Sequence, residues 1–332
     1  MKFYKILFFN TLMISIFITI SSNSWMGMWF GLEINLLSII PLMNSKNILS
    51  NEASLKYFIT QAMASTIILF SIIMMSYNLF SMNYQFILMM NSALLMKLGA
   101  APFHFWFPQV MEGLNWMNCL ILMTMQKISP MIIIMYNLNY TMFFSFIIII
   151  SMIISGIMGL NQISMRKILA FSSINHIGWM IASIFYSETN WTYYFSVYSI
   201  ISINIILMLK LLNIYYLKQL FNSMNSNFLL KFIYIFNFLS LGGIPPFLGF
   251  LPKWFVIENL LIMKFQFLAF FMIMFTLLTL FFYMRLSFAI LIMNIQLINY
   301  KINPNYNNFM IYTLNLVSLI SIMFIFILYN FI

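Results

Sequence analysis

Apolar stretches long enough to cross a bilayer follow one another almost without pause from residue 4 to residue 331. A membrane-spanning helix needs about 20 mainly apolar residues. Windows of that kind fall at 4–22, 25–43, 57–77, 86–107, 115–136, 141–160, 168–186, 192–212, 231–255, 262–284 and 309–331. The pieces between them are short. The most polar are 44–56, 213–231 and 294–308, all rich in Asn and Ser. With 64% hydrophobic and only 6% charged residues, the chain has no stretch left over for a separate water-soluble domain. The pattern predicts an all-α polytopic membrane protein of about eleven transmembrane helices.

A net charge of +10 raises the question of nucleic acid, but the 15 Lys and Arg form no basic stripe, so no nucleic-acid partner is expected. Their placement reads as topology. If the N-terminus lies on side one, that side receives Lys2, Lys5, Lys46, Lys56, Arg166, Lys167, Lys218, Lys231, Arg285 and Lys301. The other side receives Lys264, Glu188 and Glu258. The positive-inside rule then puts the N-terminus in the compartment of synthesis, and eleven spans put Ile332 opposite. The first apolar stretch has no small-residue cleavage site and is expected to be a retained span. A single cysteine, Cys119, excludes an internal disulfide, and no metal-ligand cluster, phosphate loop or dinucleotide fingerprint is present.

Two spans are interrupted. LLMKLGAAPFHFWFP (94–108) carries Lys97 and, just after it, Gly99 and Pro102. A charge at the bilayer centre costs about 2.5–3.5 kcal/mol on insertion scales and therefore faces protein or water. Proline removes a backbone donor and clashes with the preceding turn, so the helix is expected to break here. Carbonyls freed inside a membrane are tolerated only beside protein or a water-filled cavity, which predicts a hydrated interior around Lys97 with Ala93, Ala100 and Ala101 leaving room.

The same signature returns later: Gly99 to Phe103 followed by Pro108 matches Gly243 to Phe247 followed by Pro252. The two copies fall in the fourth and ninth windows and would run in opposite directions. Paired interrupted helices in corresponding halves point to an inverted-repeat transporter with its path near the midplane. The alternative is two unrelated kinks.

Few charged residues fall inside the spans. Glu33 lies near the centre of the second and is expected to pair with Lys97; the structural alternative is a static ion pair. Lys127, with Pro130 after it, is again near mid-span. Burial disfavours the charged form of a lysine and a nearby carboxylate favours it, so changes in their separation can move protons. Lys253, beside the second interruption, reads as a last relay group or as an interfacial lysine snorkelling beside Trp254. His176 has Ser172 and Ser173 one turn back and is either a relay or a hydrogen-bonded core histidine. His104 follows the first break and reads more readily as structural.

The strings GLEINLLSIIP, EASLKYFITQA, LLMKLGAAPFHFWFP, MTMQKISP, GLNQISMRKILAFSSINHIGW and SLGGIPPFLGFLPKW, in this order from about residue 24 to 256, resemble the subunit-2 family of the mitochondrial NADH:ubiquinone oxidoreductase, respiratory complex I. The resemblance implies an antiporter-like membrane-arm subunit. It implies two inverted five-helix repeats, here around 25–160 and 168–290, with one broken helix each (near 86–107 and 231–255) and a final helix at 309–331. It places the family's paired glutamate and lysine on Glu33 and Lys97, its central lysine on Lys127 and its exit-side lysine on Lys253, as a hydrated proton path. NADH, FMN, iron–sulfur clusters and ubiquinone would be used by other subunits, with none bound by this chain.

Partners would be the other membrane-arm and accessory subunits and phospholipids, cardiolipin among them. Side one becomes the mitochondrial matrix, and the far side the intermembrane space. Three further N-terminal helices of bacterial and many plant relatives are not expected here, as in animal versions. The 32 Met, and valine only at Val110, Val197, Val256 and Val317, agree with arthropod mitochondrial coding. The competing readings are a stand-alone cation/proton antiporter and a structural spacer without its own proton path.

Overall fold

A computed structural model describes residues 3–45, 47–77, 83–138, 140–224 and 228–292. The final helix expected at 309–331, together with Lys2, Lys46 and Lys301, lies outside the described residues. Every regular element among the described residues is a helix; the one β feature is an isolated antiparallel bridge between Ser164 and Tyr216. Among the described residues, seven segments are long and apolar enough to cross a membrane unaided. The chain divides into two compact units, Met1–Ser151 and Met152–Ile332.

The first unit contains α1 (Phe3–Ser21), α2 (Trp25–Met43), α3 (Ile48–Ser76), α4 (Asn83–Leu98), α5 (Trp106–Gly113), α6 (Trp116–Met123), α7 (Met125–Met135) and the first half of α8 (Thr141–Leu160). The windows for α1, α2 and α8 match these bounds closely. α3 begins nine residues before its window, because the polar run from Asn47 to Lys56 is helical and caps its own carbonyls: the Ser50 and Ser54 hydroxyls donate to Asn47 O and Asn51 O. At 1.5 Å per residue its 29 residues reach roughly 43 Å, longer than a hydrocarbon core. Within this unit α3 packs on α2, α4 and α5, while α7 packs on α1, α2, α4 and α6.

The second unit completes α8 and adds α9 (Met165–Ile184), α10 (Glu188–Leu211), α11 (Leu217–Met224), α12 (Phe228–Gly242), α13 (Phe250–Ile262) and α14 (Gln266–Ile292). Every residue of α9 except Arg166 and Lys167 is buried, including Ser172, Ser173, Asn175 and His176. A helix enclosed on all sides is the core of its unit. α10, α13 and α14 pack against it. α11 was not expected in the polar stretch at 213–231; eight residues, of which Leu220 is fully buried, are too short to register as a span.

Both interrupted helices break, and by the same local device. α4 ends with Gly99 at φ 73°, the Gly99 amide donating to Met96 O and the Ala100 amide to Leu95 O. α12 ends with Gly243 at φ 77°, the Gly243 amide donating to Ser240 O and the Ile244 amide to Leu239 O. This pair of bonds is the Schellman termination, which requires a left-handed residue and so favours glycine. The prolines two or three residues on keep the chain from resuming the helix at once. A third break, at Thr124 between α6 and α7, was not expected. Pro130 lies inside α7; it removes the bond to the carbonyl four residues back and crowds the turn before it, so the interruption appears upstream of the proline.

Candidate functional site

Lys97 occupies the last turn of α4, just before the break, and is buried. The carbonyls freed there are met by protein groups. The Trp106 Nε1–H donates to Met96 O at 3.0 Å, and the Gln61 Nε2–H donates to the carbonyl of Lys97 itself at 3.3 Å. Beside the lysine a small pocket, with room for about one water molecule, is lined by Leu32, Asn35, Tyr57, Gln61, Gln126 and Pro130, with Leu36. Its amide and hydroxyl groups suit ordered water. Ala93, Ala100 and Ala101 are buried in packing and do not line it, so the room expected from small residues is provided by α2, α3 and α7 instead.

Glu33 is half-buried and does not line this pocket. The direct pair expected with Lys97 does not form, although the carboxylate's charge still acts on the lysine. The reason is helical: Leu32, Asn35 and Leu36 share the stripe of α2 that faces the pocket, and Glu33 lies about 100° round from Leu32.

Lys127, in the first turn of α7, is 2% exposed, the most buried of the described lysines. The sequence neighbours that flank it, Gln126 and Ser129, belong to a hydrogen-bonded chain. Tyr57 Oη donates to Gln126 Oε1 at 3.1 Å, Gln126 Nε2 donates to Asn35 Oδ1 at 2.7 Å, and Asn35 Nδ2 donates to Ser129 Oγ at 3.4 Å. Sequence reasoning missed these neutral residues because it weighed only ionisable groups. Their signal was available: an Asn two residues from Glu33 and a Gln adjoining Lys127, each inside an apolar window.

The second unit has its own arrangement beside the second break. Lys253, in α13, is buried, and its ammonium donates to Gly242 O at 2.8 Å and Leu241 O at 3.2 Å. It also lies 5.8 Å from the centre of the Trp179 ring. It is therefore not an interfacial lysine: it sits on the carbonyl end of α12, where the helix dipole favours a cation. Lys253→Met leaves two buried carbonyls without donors, which costs about 1.5–3 kcal/mol. The expected outcome is faster heat inactivation of the assembled enzyme, with Lys253→Arg retaining most of the stability.

His176 is buried in α9 with Nδ1 2.8 Å from the Tyr194 hydroxyl and its ring 4.9 Å from that of Tyr198. With Ser240, Leu241, Gly249 and Pro252 it lines a small pocket beside the break. His104 instead contacts Pro102 O at 3.3 Å and does not reach the Lys97 pocket.

Each unit thus holds a buried lysine at a broken helix, with a small pocket alongside. Residues 22–280 match the family described as NADH:quinone oxidoreductase/Mrp antiporter, transmembrane. The chain belongs to that family. Among relatives, this antiporter-family chain is 52% identical to NADH-ubiquinone oxidoreductase chain 2 of Anopheles gambiae over 92% of its own length and 90% of that protein. It is 51% identical to the chain 2 of Aedes aegypti over 97% of both. Insect relatives at this identity agree with the coding signature in the composition. In fold, it superposes on a chain of the respiratory complex I of Thermus thermophilus with a TM-score of 0.82, at 20% identity, covering 87% of this chain and 71% of that one.

Proposed function

We propose that this antiporter-family chain carries protons across the mitochondrial inner membrane through Glu33, Lys97 and Lys127 in its first unit and Lys253 in its second, with His176 as an additional relay. The chain is a membrane-arm subunit of NADH-ubiquinone oxidoreductase, complex I, and works among the other subunits of that assembly. NADH oxidation and ubiquinone reduction take place in other subunits; this chain binds no redox cofactor. Its N-terminus faces the matrix and its C-terminus the intermembrane space, and phospholipids, cardiolipin included, fill its lipid-facing surfaces. The two repeats around 25–160 and 168–290 each contribute one broken helix to the path.

The observation that carries this reading is the burial of Lys97 and Lys127 within apolar helices, Lys97 beside the polar side chains of its pocket and, among the described residues, with no carboxylate in direct contact. The proton affinity of an enclosed lysine follows the charge around it, so a change in that field can move a proton on or off the amine. Moving one charge against 100 mV costs about 2.3 kcal/mol, well within the range over which such environments shift proton affinity.

The deciding measurement is proton yield per NADH from the assembled enzyme in sealed liposomes, with Lys127→Met. A lower yield supports the relay; an unchanged yield sinks it and leaves the spacer. A stand-alone antiporter, by contrast, is active in liposomes as the isolated chain. The spacer reading is favoured at one position only, Lys253, whose ammonium holds the end of α12.

A further inference from the structure

We propose that Asn35, Tyr57 and Gln126 are positioning residues that hold Lys97 and Lys127 in register for proton passage between them. The inference rests on the relay reading above and adds to it the groups that no ionisable-residue argument selects.

The first unit's site is tied together by neutral hydrogen bonds. The chain Tyr57, Gln126, Asn35, Ser129 joins α3 to α7 and α7 to α2, and Gln61 on α3 holds the carbonyl of Lys97 on α4. Each ionisable group is paired with a member of this set. Asn35 stands two residues from Glu33, Gln126 and Ser129 flank Lys127, and Tyr57 lies one turn before Gln61 on the pocket-facing side of α3. Asn35, Tyr57, Gln61 and Ser129 are almost wholly buried, so their bonds are made in a low-dielectric interior where a lost partner is expensive. As assigned, every donor in the chain points the same way, from Tyr57 toward Ser129. That leaves the Tyr57 oxygen free to accept at the pocket end, within the wall that Lys97 shares.

Amides neither gain nor lose protons in this range, which suits them to one task and excludes another. They cannot store the transferred proton. They can keep α2, α3, α4 and α7 at fixed spacing while the lysines change charge. In the step they support, one proton leaves the Lys97 ammonium, which becomes a neutral amine. Water in the polar pocket carries that proton past Gln126, and Lys127, which does not itself line the pocket, takes it up on its amine after passing its own proton onward and becomes the ammonium again. No electrons move and charge is conserved.

The test uses the assembled enzyme in sealed liposomes, measuring NADH oxidation and protons moved per NADH for Gln126→Leu, Asn35→Leu and Tyr57→Phe, with Lys127→Met as the reference. Gln126→Leu is expected to lose the most proton yield of the three, because it removes both the bond from Tyr57 and the bond to Asn35. Gln126→Glu, which can still accept from Tyr57, is expected to recover part of it. Tyr57→Phe removes a hydroxyl and leaves the ring against Trp106, 5.7 Å away, so it decides the matter if the other variants do not assemble. Should all three keep the parent's protons per NADH and lose only heat stability, the network is packing and the proposal is overturned. If Lys127→Met also keeps the parent's yield, the relay reading itself has failed; if it alone lowers the yield, the relay stands and only the positioning role falls.

Discussion

Lys97→Met is expected to produce an enzyme that inserts and assembles at least as well as the parent and moves far fewer protons. The two effects have opposite signs for one reason. A lysine at mid-membrane depth costs about 2.5–3.5 kcal/mol to insert, and methionine, of similar length, removes that cost. The ammonium makes no ion pair whose loss would strand a buried carboxylate: Glu33 is on a different stripe of α2. What disappears is the proton-holding group beside the Asn35, Tyr57 and Gln126 pocket. Loss of a positioned acid–base group slows transfer by about 10²-fold or more. Assembly measured by native electrophoresis, together with liposome acidification per NADH, separates the two effects. A proton yield equal to the parent's would show that Lys97 is a passenger.

Gly249→Ala is expected to be the most damaging small substitution in the second unit. A Cβ on Gly249 would run into Ser240 O and lie 2.8 Å from its carbon. That carbonyl already accepts from the Gly243 amide at the break, so the backbone cannot give way without undoing the end of α12. Overpacking of this kind costs about 1–3 kcal/mol or more, and the displaced α13 carries Lys253 away from the Leu241 and Gly242 carbonyls. Gly242→Ala is the control. Its Cβ would meet nothing nearer than Tyr283 Cδ2 at 3.5 Å, and it would gain about 0.5–1 kcal/mol of helix preference. Heat inactivation of the two assembled variants should move in opposite directions; equal behaviour would mean that α12 and α13 do not meet closely at Gly249.

The apolar windows found most helices because span length follows from bilayer thickness and is written locally. α2 and α8 match their windows at both ends, and the two broken helices were visible from glycine and proline alone. Hydropathy failed where structure is short or polar: α11, and the first turns of α3, are helical without being apolar enough to count as membrane segments. The break at Thr124 was displaced from the proline that explains it, since a proline's steric effect falls on the preceding turn.

Which residues are charged and at what depth was decided by the sequence, and with it the membrane fold, the family and the choice of Lys97, Lys127, Lys253 and His176 as groups to examine. Which of them touch was decided only by the packing of helices. Residues two apart on a helix diverge by about 200°, so Asn35 enters the Lys97 pocket while Glu33 does not. In the same way Gln126 joins the hydrogen-bonded chain to Tyr57. Lys253 meets α12 because the chain turns back at Gly243 and brings α13 onto the carbonyls that the break exposes. Hydropathy reports a residue's depth; the azimuth of its side chain is set by the neighbour its helix packs against, and that neighbour is distant in sequence.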